Sequence, residues 1–590
     1  MRFLFFTLAV LFFSPLLCAD GIDYTVEIQG VKDRALVRKM RSVSQLFQLK
    51  RRQASSLSAL HFRAEADLPD IKKLLHSLGY FEAQVFFKFE EREREIGVQI
   101  VIDLGPLYTL GNYTLRLYTD GKVNLLLNKK LSLKSIGIAA NQPALSSKIL
   151  EAELKALERL ALFSYPLAKI LKRSVIADGD TKKVDVTLTI NTGPYARFGP
   201  LLIKGLTTTR RRLIEKKLDW KQGEPYKSLL VTATQDSLVK TGLFTSVLIS
   251  HEERLNDEGL LPMRVEVTES KHHSLNVGVS YQTFFGPGLT FGWENRNISG
   301  MGRKLSIQGD ATKRSHSGLA TLFLPDFYKR GQNYIWQAQA MHEAITAYSQ
   351  RTYNLVTRLE RQFGRRFSSA AALKLERLLV TGSVNNGAFL LFEVPLYARW
   401  STANSVLNPT RGKTLDVRIV PTLSVDAVRT YYLEQEMRFS SYLPLFDNPN
   451  CILAQKVTLG SIISPKLHLV PVPKRFFGGS EDDLRGYKYK TVSPLTKSGK
   501  PIGGRSAVFY SLEMRLRLGK WIGLVPFFDV GNVYATQFPA FDGKWAKSLG
   551  LGVRYFSFIG PIRLDVGFPL NRRKGVDPRY RILVSIGQAF

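Results

Sequence analysis

Arg485 is the residue best equipped for chemistry in this chain. It sits in Leu484-Arg485-Gly486-Tyr487, downstream of Phe476-Phe477-Gly478-Gly479. A guanidinium is a planar fork of five donors, always charged, that grips carboxylates bidentately. The chemistry it offers is binding and positioning, with no bond broken. The run lies in a connection of about residues 463–505, and a loop that long is functional or disordered; its aromatics and glycines predict an ordered, packed loop. Nothing else in the sequence competes. His272 and His273 are adjacent, so on a strand they face opposite ways and make a poor metal pair. There is no G-x-S-x-G elbow and no P-loop. The chain reads as a non-enzyme that needs no cofactor and no metal.

The elements that must hold such a loop are legible in the hydropathy pattern. From about residue 271 the sequence runs in segments of about ten residues, alternating apolar and polar, separated by Gly, Asn, Asp and Pro. Sixteen such segments, from 274–281 through 389–399 to 580–590, predict a 16-stranded antiparallel transmembrane barrel over 271–590. Closing the sheet satisfies every backbone amide, as a bilayer demands. In the last segment Tyr580, Ile582, Val584, Ile586 and Phe590 share one face, while Arg581, Ser585, Gly587 and Ala589 share the other. One face suits lipid and the other water.

Ahead of the barrel the sequence repeats. Gly105-Pro106 and Gly193-Pro194 each follow an apolar strand-like run, and three similar helix ends occur, at Gly79-Tyr80-Phe81, Ser164-Tyr165 and Gly242-Leu243-Phe244. The pattern predicts three α+β units, over 20–106, 107–194 and 195–270. In the first unit Asp67-Leu68-Pro69-Asp70 reads as the opening of a helix whose apolar face is Ile71, Leu74, Leu75 and Leu78, with Gly79 as a left-handed cap. Residues 1–19 read as a secretory signal peptide, with Arg2 before the apolar run 3–17. The mature chain then keeps one cysteine, Cys451.

Net charge is +33, and residues 271–590 carry 43 Lys and Arg against 20 Asp and Glu. Such a balance invites a nucleic-acid reading. The charges are scattered singly at strand-like spacing behind a secretion signal, so a basic lumen or basic loops against anionic headgroups of outer-membrane lipid fit better, and nucleic acid is excluded.

Leu484-Arg485-Gly486-Tyr487 resembles the (V/I/L)-R-G-(F/Y) loop signature of the POTRA-plus-barrel outer-membrane assembly superfamily, whose members include BamA, TamA, organellar insertases and two-partner secretion pores. The resemblance extends to Asn408-Pro409-Thr410-Arg411-Gly412 before a strand, to Phe527-Phe528-Asp529, and to the closing hairpin from Gly550-Leu551-Gly552 to Gly560-Pro561-Ile562-Arg563-Leu564-Asp565. It implies that the repeats are POTRA domains in the periplasm, three being the number in TamA, and that Arg485 lies in the lumen against Asp529, with Glu513 as a second partner. In a wet lumen such a pair contributes about 1 kcal/mol; cutting one partner out of a drier site costs roughly 3–5 kcal/mol. It also implies a function most like TamA: assembly of β-barrel or autotransporter clients through a weak seam between the first and last strands. A kink is expected at Gly587, and Phe590 resembles an outer-membrane targeting signal. The implied partners are a TamB-like periplasmic protein or, for a BamA-type insertase, the lipoproteins of that complex. A polypeptide-exporting or anion-favouring pore is the rival, resting on the basic barrel.

Overall fold

The computed structural model describes residues 21–92, 95–139, 141–425, 429–447, 450–557 and 560–586. The predicted signal segment, Gly587 and Phe590 lie outside the described residues.

Three small sheets follow one plan. The first joins Tyr24–Gln29, Ile96–Asp103 and Gln84–Glu91, the second joins Thr109–Thr119, Lys183–Asn191 and Lys169–Asp178 with the two-residue strand Lys122–Val123 added beside Thr109–Thr119, and the third joins Phe198–Lys204, Leu261–Glu269 and Phe244–His251, each with its last strand between its first and its last but one. The first strand of each lies parallel to the last. A helical segment links them in every case, because parallel neighbours need a crossover. The helix ends that repeat in the sequence repeat in conformation too: Gly79, Ser164 and Gly242 have φ of 92°, 73° and 67°. Ser164 takes a backbone region that favours glycine, and its hydroxyl donates to the Tyr226 carbonyl at 2.8 Å.

One helix departs from the sequence reading. It spans Leu57–Ser77 with Ser56 as N-cap, so Pro69 lies inside it and Asp67 does not open it. Asp67 is instead fully buried, where it accepts from Gln45 N at 2.6 Å and from Leu46 N at 3.1 Å as well as from the Ser44 hydroxyl. It caps the neighbouring short helix Gln45–Gln48, which compensates for a carboxylate in the core. Ile71 and Leu75 are fully buried below it.

The barrel sheet runs in sequence order from His273–Gln282 to Arg581–Ile586, and every paired neighbour in it is antiparallel. Gly387–Glu393 and Leu396–Ser401 both pair with Phe367–Thr381 and both with Gly412–Ser424. They are two halves of the strand expected over 389–399, broken at Val394-Pro395 because proline has no amide for the ladder. Counting them as one gives sixteen staves among the described residues. The first strand alternates as a lipid-facing strand does: Leu275, Val277, Val279 and Tyr281 are exposed, with Ser274, Asn276 and Ser280 between them.

Candidate functional site

Residues 464–505 connect Cys451–Ile463 to Ser506–Leu518. Isolated bridges fold this loop on itself, pairing Phe476 with Gly504, Gly478 with Val492 and Leu495 with Pro501. The turn before the motif is built on Asp483, whose carboxylate accepts from Gly479 N and Ser480 N, both at 2.8 Å. Gly479 has φ +99°, and a Cβ there would stand 2.3 Å from the Lys488 carbonyl oxygen, so no other residue fits. Leu484, Tyr487 and Val492 are buried together with Phe509 and Val533 of the barrel wall, and Phe476 packs against them. Phe477 packs on a second apolar cluster that includes Tyr348 and Val472. Every residue of the motif is thus packed into the wall.

This packing carries Arg485 to a site where it is 1% exposed. Its Nε and Nη2 donate to the two oxygens of Asp529 at 2.9 and 2.7 Å, and its Nη1 donates to Glu513 at 2.6 Å. Its own backbone N–H also reaches Asp529, at 3.2 Å. The guanidinium carbon lies 3.5 Å from the centroid of the Phe527 ring, a cation–π contact strengthened by the burial of both groups. Both partners implied by the resemblance are therefore brought to Arg485. A third, Asp565, accepts from Nη1 at 3.3 Å and was missed. Arg515 donates to Glu513 at 2.8 Å, and Arg554 to Asp565. Glu513, Asp529 and Asp565 are all fully buried, so the wet-lumen expectation fails. The larger cost of an unpaired buried charge governs this network.

The backbone of the motif touches the wall as closely as its side chains. A Cβ on Gly486 would stand 2.8 Å from the Pro569 nitrogen and 2.9 Å from the Phe568 carbonyl carbon. Tyr487 Oη accepts from Lys547 N at 3.1 Å and donates to carbonyls at Lys547 and Asn571. From the last strand, Arg581 donates to the carbonyls of Gly479 and Tyr487. Tyr580, just before that strand, and Ile582 within it are half exposed.

The sequence reading also missed a second anchor. Lys474 Nζ donates to Glu376 and to Glu393, both at 2.6 Å, and Lys374 pairs with the same two carboxylates at 2.5 and 3.0 Å. The two glutamates come from the broken-strand side of the barrel, so the loop is bolted to two stretches of wall. The adjacent Arg475 donates to two loop carbonyls, Val470 O at 2.9 Å and Ile502 O at 3.0 Å. Burial lowers its guanidinium to about 10, and it stays charged at neutral pH.

A charged fork from a long loop, gripping the inner wall of a sixteen-stave barrel that follows three α+β units in the sequence, defines a class of outer-membrane protein. Residues 297–590 match the Omp85 superfamily domain, and the chain belongs to that superfamily. Its barrel lies in the bacterial outer membrane, with the POTRA units in the periplasm. It is 25% identical over 540 residues to outer membrane protein assembly factor BamA of Nitratidesulfovibrio vulgaris, covering 87% of this chain and 66% of that one. It is 19% identical over 589 residues to BamA of Neisseria meningitidis serogroup B, covering 89% and 72%. The chain thus spans about two-thirds of the Nitratidesulfovibrio relative's length. The crystal structure of BamA from Haemophilus ducreyi lacking POTRA domains 1–3 shares the fold, with a TM-score of 0.70 at 19% identity over 81% of this chain and 99% of that one.

Proposed function

We propose that this protein is an outer-membrane assembly factor that inserts β-barrel clients through the seam between its first and last strands. The observation that carries the reading is the seam itself. Neighbouring staves elsewhere exchange long ladders, thirteen paired residues between Gln332–Ala344 and Ser349–Phe363 for example. Between His273–Gln282 and Arg581–Ile586 there is no ladder among the described residues; Val584 N–H donates to the Thr283 hydroxyl at 3.2 Å. Two strand edges that share no ladder among the described residues are a template for an incoming strand.

The POTRA units supply a second template. Lys169–Asp178 is outermost in its sheet and exposes Leu171 and Ile176, as suits strand addition by a client or partner. Three such units favour a TamA-type role with a TamB-like partner. Resemblance over most of the chain to proteins named BamA favours a BamA-type role, with lipoprotein partners, at least equally. Outer-membrane β-barrels, autotransporters among them, are the client class in both.

Disulfide trapping tests the reading. With Cys451 replaced by Ser, the pair T283C and V584C locks the seam, and assembly of a barrel client in cells is followed with and without reductant. Assembly that stops on locking and resumes on reduction is the expected result. Assembly indifferent to the lock, with ions or polypeptide still passing through the lumen, reassigns the protein as a pore.

A further inference from the structure

Among the described residues the first and last strands share no ladder, yet both sides of the seam are tied to the long loop. On the last-strand side the ties are Arg581 to the carbonyls of Gly479 and Tyr487, and Gly486 against the backbone at 568–569. Two residues beyond Tyr487 the loop turns to the other side of the seam. The Tyr489 ring stacks on Phe284, with centroids 4.5 Å apart and planes 28° apart, and meets Phe285 edge-on at 5.7 Å. Phe284 and Phe285 form the turn between the first strand and Gly286–Ile298. The Arg314 guanidinium, from the next turn on the same side, lies 4.8 Å from the Phe284 centroid. Lys490 then donates to Tyr348 Oη at 3.1 Å. Within a dozen residues, 479–490, the loop reaches from the last strand to the first hairpin.

We propose that Tyr489 and Phe284 are positioning residues for the seam, a ring-on-ring clasp by which the loop straps the first hairpin against the last strand. The Arg485 end is held by buried ion pairs and a backbone contact, whereas Tyr489 meets the first hairpin ring on ring, at Phe284 and Phe285. An offset ring pair biases an equilibrium by only about 2- to 13-fold. The clasp is therefore the end that yields: when the seam opens, the first hairpin leaves the loop and the loop stays on the wall of the last strands. The proposal deepens the assembly-factor reading and rests on it for its purpose, since a gate matters only where something passes.

The test reads the seam directly. Spin labels at V279C and I582C, both lipid-facing, are placed in the full chain with Cys451 replaced by Ser, in vesicles of phosphatidylethanolamine and phosphatidylglycerol, and the distance distribution is measured by pulsed dipolar spectroscopy. Y489A and F284A are each expected to raise the long-distance population by about 2- to 13-fold, the double variant no more than either alone. Y489F keeps the ring and is expected to match the parent. F284L keeps apolar bulk without a ring and is expected to widen the seam, which separates the clasp from loss of fold. Unchanged distributions in both alanine variants overturn the clasp, and so does Y489F behaving like Y489A. Client assembly is scored on the same variants. A widened seam with assembly untouched supports the clasp and counts against the assembly-factor reading; an unchanged seam with impaired assembly does the reverse.

Discussion

Gly486 and Gly567 meet backbone to backbone: a methyl on Gly567 would stand 3.0 Å from the Gly486 nitrogen and 3.1 Å from the Arg485 carbonyl carbon. The glycine of the loop motif and a glycine of the closing hairpin are two halves of one contact. Arg485 reaches Asp529 at hydrogen-bond distance because the chain beside it lies flat on the wall. Gly567→Ala is therefore expected to lift the loop, at a cost of about 1–3 kcal/mol for an overpacked contact whose neighbours are main chain. A lowered denaturant midpoint, with new protease cleavage between 464 and 505, checks this. A neutral Gly567→Ala counts against the contact as what seats the loop.

Arg485→Ala leaves Asp529, Glu513 and Asp565 buried around an empty place. The expected loss is roughly 3–5 kcal/mol, larger than for Asp565→Asn, because Asp565 is the most distant of the three acceptors and also pairs with Arg554. Arg485→Lys keeps the charge but not the fork, so it is expected to recover less than half of the loss. A double-mutant cycle of Arg485 with Asp529 gives the coupling. Coupling below about 0.5 kcal/mol would show the buried pair to be incidental.

Lys474→Met leaves Glu376 and Glu393 facing each other with only Lys374 between them. A loss of roughly 1–3 kcal/mol is expected, near the cost of an unsatisfied buried polar group since one lysine remains. Lys474→Arg is expected to restore most of it. Protease sensitivity confined to the stem of the loop, with the Arg485 region still protected, distinguishes this anchor from the other. Cleavage appearing at both ends together would mean the loop is released as one unit.

What could be read from the sequence, and what could not, divides by the range of the interaction. The lipid and lumen faces around Tyr580, Arg581 and Ile582 are legible because a strand alternates with period two whatever lies beside it. The left-handed helix ends are legible at Gly79 and Gly242 because few residues adopt that conformation. Asp529 could be named because it lies in a stretch that resembles a family's, and Glu513 because it lies on the strand before it. Asp565 lies in such a stretch too, but its approach to Arg485 depends on the register of Gly560–Pro569 against Ala546–Ser557, where Asp565 stands opposite Gly552, and a Cβ on Gly552 would fill the space of its carboxylate. Lys474 and its two glutamates are 81 and 98 residues apart, with no local pattern. Pro395 was a readable break that strand periodicity overrode, and Pro69 a helix-opening signal that Ser56 and the pull of Asp67 into the core overrode.

Glu269, at the end of the third POTRA sheet, gives a pH-dependent prediction. Burial raises its pKa, but hydrogen bonds from Thr208 Oγ1, the backbone of Thr207 and Thr209 and the Thr207 hydroxyl outweigh that and hold the carboxyl below its ordinary value of 4.5. His272 faces it at 3.2 Å. A depressed carboxylate adds stability that is complete above the unfolded value and is lost as pH falls towards the native one. The melting temperature of the parent should therefore exceed that of Glu269→Gln at neutral pH, and the margin should shrink as pH falls from about 4.5 to 3. Melting curves of both proteins across that range decide it. A margin that persists unchanged at pH 3 would assign the effect to packing of the side chain and remove the charge from the account.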